Sequence, residues 1–264
     1  MHTAVLREVT RRWGLTVGPP FEHDGEWAWV APARDGAGRE LVLKIVKWFA
    51  DTEHEADGLR LWDGDGAVRL YAAREYGEAK ALLLERCVPG TQLKQALPEP
   101  EQDLVVAGLL RRLWRPAGAP FRPLSQMCDE WAAEFEQKYA AAPDAVDRGI
   151  ARAGIGLFRS LPRTASTDVL LCTDLHGGNI LAAEREPWLV IDPTPYVGDP
   201  AYDVVQHMLN CDERLAADPA GLATRMADLL DLDPERVTLW LFARCVQESP
   251  EWIELRQVAA RLAP

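Results

Sequence analysis

Two aspartates and an asparagine are spaced so that they could act on one substrate. The stretch Leu171-Cys172-Thr173-Asp174-Leu175-His176-Gly177-Gly178-Asn179-Ile180-Leu181 runs an apolar strand into a glycine-bearing loop, with Asp174 at the strand's end and Asn179 further along the loop. Leu189-Val190-Ile191-Asp192-Pro193 then ends a second apolar strand on another aspartate, at hairpin distance. Carboxylate and carboxamide oxygens are hard ligands of the kind Mg²⁺ takes, one or two from the protein alongside substrate phosphates. A carboxylate beside such an ion can also accept the proton of an attacking hydroxyl. Taken alone, Asp174 and Asn179 read as ordinary turn residues, since Asp, Asn and Gly populate loops. The companion Asp192, after its own apolar strand, favours the chemical reading.

The elements that must position these residues follow from periodicity. Trp27 to Ala33 and Leu41 to Lys47 are β-rich runs separated by the turn-forming Arg34-Asp35-Gly36-Ala37-Gly38. Ala56, Leu59 and Trp62, three apart, predict a helix over Thr52 to Trp62. Val68 to Ala73 and Ala79 to Glu85 read as two more strands, the latter apolar enough to be buried on both faces. At Val88-Pro89-Gly90-Thr91 the texture changes to helix, over Glu101 to Trp114, Leu124 to Ala141 and Asp144 to Ser160. Short strands are predicted at Val169 to Cys172, Ile180 to Ala183 and Trp188 to Ile191, and helix returns from there to Leu262. Asp199-Pro200 marks a helix start, an N-cap followed by proline at the first helical position. A doubly wound sheet would alternate strands and helices throughout; a β-rich front with a helical remainder predicts an α+β chain of two lobes, residues 1–87 and 88–264.

Composition narrows the function classes. The five cysteines form no C-x-x-C pair, which argues against a zinc site or a disulfide framework. A net charge of −12 disfavours nucleic acid as a partner. Such a charge either draws in cationic small molecules or serves solubility alone. Arg7, Glu8, Arg11 and Arg12 interrupt the N-terminal stretch where a signal peptide needs an apolar run, and no apolar run is long enough to span a bilayer. The expectation is a cytoplasmic protein without a membrane partner, as monomer or homodimer. Core packing accounts for most of Trp48, Trp62, Trp131, Trp240 and Trp252, and His176, with no second imidazole near it in sequence, reads as a structural hydrogen-bonding residue rather than a metal ligand.

The run D-L-H-G-G-N-I-L at 174–181, then I-D-P at 191–193 and G-D-P-A-Y-D at 198–203, resembles the aminoglycoside phosphotransferases, and within them the subgroup that modifies streptomycin, hydroxyurea and viomycin-type peptides. The likeness extends from Trp27 to Asn210 and includes the Lys44 strand, His54-Glu55-Ala56, Leu82-Leu83-Leu84-Glu85-Arg86 and Pro89-Gly90-Thr91. It implies a bilobal protein-kinase-like fold, with a β-rich N-lobe and a mainly helical C-lobe. It further implies an ATP- and Mg²⁺-dependent kinase that phosphorylates a hydroxyl of a small molecule, an aminoglycoside-like or cationic peptide antibiotic. On this resemblance Asp174 is the catalytic aspartate, and Asn179 and Asp192 hold the magnesium ions. Lys44 pairs with the phosphates and Glu55 anchors Lys44. A lone strand lysine or helix glutamate reads as surface, but the two at this spacing favour the paired role. Glu85 to Cys87 form the hinge that meets adenine through backbone groups. Asp203 and Asp199 support the catalytic loop, and plain helix capping accounts equally well for Asp199. Carboxylates at Asp129, Glu130, Glu134, Glu136, Glu248, Glu251 and Glu254 are candidates for binding a cationic acceptor; Glu251 and Glu254, three apart, would share a helix face.

The chain departs from the family in three places. Cys172-Thr173 stands where His-Gly is usual, Thr194-Pro195 follows Asp192-Pro193, and only His23-Asp24-Gly25-Glu26-Trp27 occupies the position of a phosphate-covering glycine loop. Two other readings stay open: a metabolic small-molecule kinase on the same fold, and a nucleotide-binding pseudokinase.

Overall fold

A computed structural model describes residues 2–21, 28–47, 53–142 and 146–264. Trp27, His23 to Glu26, Trp48, Thr52 and Asp144 lie outside the described residues. The chain divides into two compact units, residues 1–96 with 179–194, and residues 97–178 with 195–264.

The first unit is built on a five-stranded antiparallel sheet of β1 (Thr16–Val17), β2 (Ala28–Arg34), β3 (Glu40–Lys47), β4 (Leu70–Tyr76) and β5 (Ala79–Glu85), in the order β1-β2-β3-β5-β4. β5 lies between β3 and β4 and is buried over nearly its whole length, as its run of leucines requires. One face packs Leu41, Leu43 and Ile45 of β3 and Ala79, Ala81 and Leu83 of β5 against Val9 of helix α1 (His2–Trp13). Arg7, Arg11 and Arg12 of α1 lie outside its apolar stripe, which is carried by Val5, Leu6, Val9 and Trp13. The alternate face of β3 carries Lys44, in register with Leu82 of β5. Helix α2 (Glu55–Trp62) packs Ala56, Leu59 and Trp62 inward, the three positions its periodicity marks. A hairpin of β7 (Ile180–Ala182) and β8 (Trp188–Val190) also belongs to this unit. It is fastened by Val68 N–H to Val190 O at 3.0 Å and by Gly90 N–H to Ala182 O at 3.0 Å. Gly90 has φ +79°, a conformation that suits glycine. Short helix α3 (Leu93–Ala96) closes the unit.

The second unit is helical: α4 (Glu99–Leu113), α5 (Leu124–Ala141), α6 (Arg148–Ser160), then α7 (Pro200–Asp203), α8 (Val205–Leu209), α9 (Asp212–Ala217), α10 (Pro219–Leu230), α11 (Pro234–Glu248) and α12 (Glu254–Leu262). Helix α6 starts later than its sequence suggests because Asp147 caps it, accepting from Gly149 N–H and Ile150 N–H. A two-stranded ribbon of β6 (Val169–Leu171) and β9 (Tyr196–Gly198) brings the segment before Asp174 beside the segment before Asp199. Trp62 and Trp240 are fully buried, whereas Trp252 is 58% exposed, so packing does not account for it. No helix of the described residues is long and apolar enough to cross a membrane.

Candidate active site

In the first unit, three charged residues converge. Lys44 is buried on β3, and its Nζ donates to both carboxylate oxygens of Glu55, each at 2.8 Å, and to Asp192 Oδ1 at 3.0 Å. Glu55 is buried at the start of α2, while the side chain of Asp192, just past β8, is 45% exposed. Burial alone would lower the Lys44 pKa, but the carboxylates of Asp192 and Glu55 outweigh it and hold the ammonium firmly charged. Asp192 adopts φ +51°, a left-handed conformation that aspartate tolerates better than most residues. Asn179 opens the same hairpin, its carbonyl accepting from Ile191 N–H at 2.9 Å. The donor set offered by Asn179 and Asp192 is all oxygen and half-exposed, which fits a hard divalent cation.

Glu85 ends β5 with both carboxylate oxygens committed. Arg185, in the β7–β8 turn, donates through Nε to Oε1 at 2.8 Å and through an Nη to Oε2 at 2.9 Å. Arg69 N–H donates to Oε2 as well, and Glu85 N–H is spent on Arg69 O. Burial would raise the Glu85 pKa, but Arg185 and Arg69 hold it below the ordinary range. Arg185 also donates to Gly64 O and Ala67 O. Cys87 is half-buried and burial pushes its thiol up to about 12, so it is no nucleophile.

In the second unit, Asp174 follows β6 with its side chain 41% exposed. The turn that presents it is unusual. Thr173 has φ +53°, a costly conformation for a β-branched residue, at the position where the family usually has glycine. Asp203 holds it there: its buried carboxylate accepts from Thr173 N–H at 2.6 Å, from Cys172 N–H at 3.0 and 3.1 Å, and from Trp114 Nε1 at 2.9 Å. Burial pushes Asp203 up to about 6 despite these donors. The loop is further closed by Asp174 N–H to Cys172 O at 2.8 Å and by Gly178 N–H to His176 Nδ1 at 3.1 Å.

Asp199 does not touch this loop through any hydrogen bond of its side chain among the described residues. It caps α7 through Ala201 N–H and accepts from Arg236 Nε and Trp240 Nε1, both at 2.6 Å. Of the two readings open for Asp199, the geometry thus fits the cap. The structure therefore brings Lys44, Glu55 and Asp192 together in one unit and Asp203 to the Asp174 turn in the other. Trp114 and Arg185 escape a sequence reading because their partners lie far along the chain, and an arginine in a turn or a tryptophan ending a helix carries no local signal.

Among the acceptor candidates, Asp129, Glu130, Glu136 and Glu251 are each spent on a basic neighbour: Arg163, Arg122, Arg159 and Lys138 respectively. Glu251 lies in the turn before α12 rather than on it, so Glu251 and Glu254 do not share a helix face. Glu248 is likewise paired, with Arg244, and both line a pocket of about 220 Å³ with Gln206, Asn210, Asp212 and Trp252. A separate buried group, Asp103 with His207 and Cys211, has its ligand atoms close enough for one ion, but Arg214 and Arg225 already hold the Asp103 carboxylate, and two guanidiniums oppose a cation.

Asp203→Asn tests the brace. Every group facing this carboxylate is an N–H donor, so a carboxamide must turn its NH₂ against one of them. The expected cost is about 3 kcal/mol, since a buried donor pair is left unsatisfied, seen as a melting temperature lower by roughly 6–12 °C. An unchanged melt would show that Asp203 does not hold the turn.

Residues 14–255 match the model of the aminoglycoside/hydroxyurea antibiotic resistance kinases. Hydroxyurea phosphotransferase of Kitasatospora aureofaciens is 34% identical over 259 residues, covering 96% of this chain and 74% of its own. Streptomycin 6-kinase of Streptomyces griseus is 35% identical over 253 residues, covering 93% and 81%. Among solved structures, choline kinase LicA from Streptococcus pneumoniae superposes with a TM-score of 0.60 at 12% identity, covering 98% of this chain and 95% of its own. Amicoumacin kinase hAmiN in complex with AMP-PNP, Ca²⁺ and Ami gives 0.59 at 12% identity, covering 99% and 94%. The fold is α+β and protein-kinase-like, with a β-rich N-terminal part and a helical C-terminal part.

Proposed function

The chain belongs to the aminoglycoside/hydroxyurea antibiotic resistance kinases, and from that premise we propose that it transfers the terminal phosphoryl group of ATP, with Mg²⁺, to a hydroxyl of a cationic antibiotic. The observation that most supports this reading is the buried Lys44–Glu55 pair with Asp192 on the same ammonium, at 2.8 and 3.0 Å. A charge held so firmly by two carboxylates is poised to exchange one of them for phosphate oxygens.

Lys44 holds the phosphates and Glu55 fixes where the ammonium points. Adenine meets backbone groups of the Glu85–Cys87 segment, whose glutamate side chain is already spent on Arg185. Asn179 and Asp192 would hold the magnesium, whose charge would offset that of the phosphates. Asp174 orients the acceptor hydroxyl and takes its proton as the new oxygen–phosphorus bond forms and the bond to the leaving ADP oxygen breaks. Asp203, through Thr173 N–H, keeps that carboxylate's backbone in place.

The acceptor is recognised by the helical part. Asp212 brings a carboxylate to one pocket, with Glu248 already paired to Arg244 there and the exposed ring of Trp252 beside them. A guanidinium or ammonium leaving water needs such a partner, because an unpaired buried charge is costly. The test is direct. Expression in a drug-sensitive bacterium is expected to raise tolerance to at least one cationic aminoglycoside or peptide antibiotic, and the purified protein to add a phosphate's mass to that drug. Efficient turnover of a neutral sugar or amino alcohol, with every cationic drug ignored, would make it a metabolic kinase instead. ATP binding with no acceptor turned over would favour a pseudokinase.

A further inference from the structure

We propose that Lys80 is a positioning residue for the nucleotide site, acting through Glu55. The inference rests on the reading that Lys44 and Glu55 serve ATP. Register puts the two lysines on the same face of the sheet: Lys44 of β3 lies opposite Leu82 of β5, and Lys80 of β5 lies opposite Val46 of β3. Lys44 reaches the side chain of Glu55, while Lys80 Nζ donates to the main-chain carbonyl of Glu53 at 2.5 Å. The entry to α2 is therefore gripped twice, once by a side chain and once by the backbone two residues earlier.

That second grip adds to a first turn whose N-cap, His54, makes no side-chain capping bond, although its Nδ1 lies 3.3 Å from Asp57 Oδ2. Glu55 is the first helical residue. A fraying first turn would carry Glu55 with it. Lys80 is 6% exposed, and its cross-strand neighbour on β4 is Glu75. Burial raises the Glu55 carboxyl pKa, and Lys44 and, to a smaller extent, Lys80 oppose that rise. A pocket lined by His54, Asp57, Arg74 and Lys80 leaves room for water on the ammonium's remaining donors.

A double-mutant cycle on the full chain separates this role from plain structure. Lys80→Met is expected to raise the KM for ATP about tenfold, within the coupling seen between neighbouring charged groups, and to leave the acceptor KM unchanged. In a Glu55→Gln background the same substitution is expected to add less than about twofold, since its route is already cut. Equal effects in both backgrounds, or a lower melting temperature with unchanged kinetics, would overturn the proposal. Should Lys80→Met not fold, Lys80→Gln, which keeps a donor for Glu53 and removes the charge, carries the same cycle and the same criterion. If Glu55→Gln alone leaves the ATP KM untouched, it is the reading of Lys44 and Glu55 that fails. If Glu55→Gln raises it and Lys80→Met does not, only the role of Lys80 falls.

Discussion

Asp174→Ala is expected to lower phosphoryl transfer by about 10²- to 10⁴-fold, the usual contribution of a positioned proton acceptor, while ATP binds almost as before. Much of what shapes the Asp174 turn is main chain or belongs to other residues, beside the carboxylate's own 3.9 Å contact with His176 Nε2. Thr173 carries the left-handed φ, Cys172 O accepts from Asp174 N–H, and Asp203 holds the two preceding amides. Removing the Asp174 carboxylate leaves all of these in place, so the loss should fall on chemistry rather than on folding or on nucleotide affinity. Asp174→Asn sharpens the test, because it keeps shape and hydrogen-bonding capacity and removes only basicity; it should be about as inactive as the alanine variant. Single-turnover rates and ATP titrations on both variants are the measurements. Retention of more than about a third of wild-type turnover, far above what loss of a general base permits, would remove Asp174 from this role.

Local pattern carried the sequence reading where function and secondary structure coincide. Strand β5 announces its burial by consecutive leucines, α5 has the predicted limits Leu124–Ala141, and the Asp199-Pro200 cap is where the residue types put it. Helix α1 does carry a periodic signal, Val5, Val9 and Trp13 at spacings of four, but it says nothing of the sheet face it covers. Other features have no local signature. Arg185 looks like any turn arginine until Glu85, a hundred residues earlier, is seen to accept from it. Thr173 is the instructive case. A threonine where glycine is usual suggests a changed loop, yet the backbone keeps the left-handed conformation, because Asp203 accepts from the strained residue's own N–H. The cost of the wrong residue is offset by a contact that lies 30 positions away in the chain.

The same separation of neighbours in sequence from neighbours in role sets apart Asp192 and Asp199. Asp192→Ala is expected to weaken Mg²⁺-dependent ATP binding by about tenfold or more, some 1.4 kcal/mol or above, and Asp199→Ala to leave it nearly unchanged. Asp192 presents a half-exposed carboxylate with one oxygen on Lys44 Nζ. Asp199 is buried, its oxygens taken by Ala201 N–H, Arg236 and Trp240, so its loss strands three donors and should appear as a lower melting temperature. Calorimetric titration of ATP with and without Mg²⁺ distinguishes the two. Without metal, Asp192→Ala should bind ATP no more weakly than the wild type, since Lys44 is then released from one of its two carboxylates and is freer for phosphate. With metal, the variant loses a ligand, and the difference between the two titrations collapses. Because alanine is strained at φ +51°, Asp192→Asn serves as the companion, keeping a residue that tolerates the conformation while removing the charge. If the aspartates at 192 and 199 proved equivalent in these titrations, Asp192 would not be the metal ligand, and the Lys44 cluster would be an ion-pair network of the fold alone.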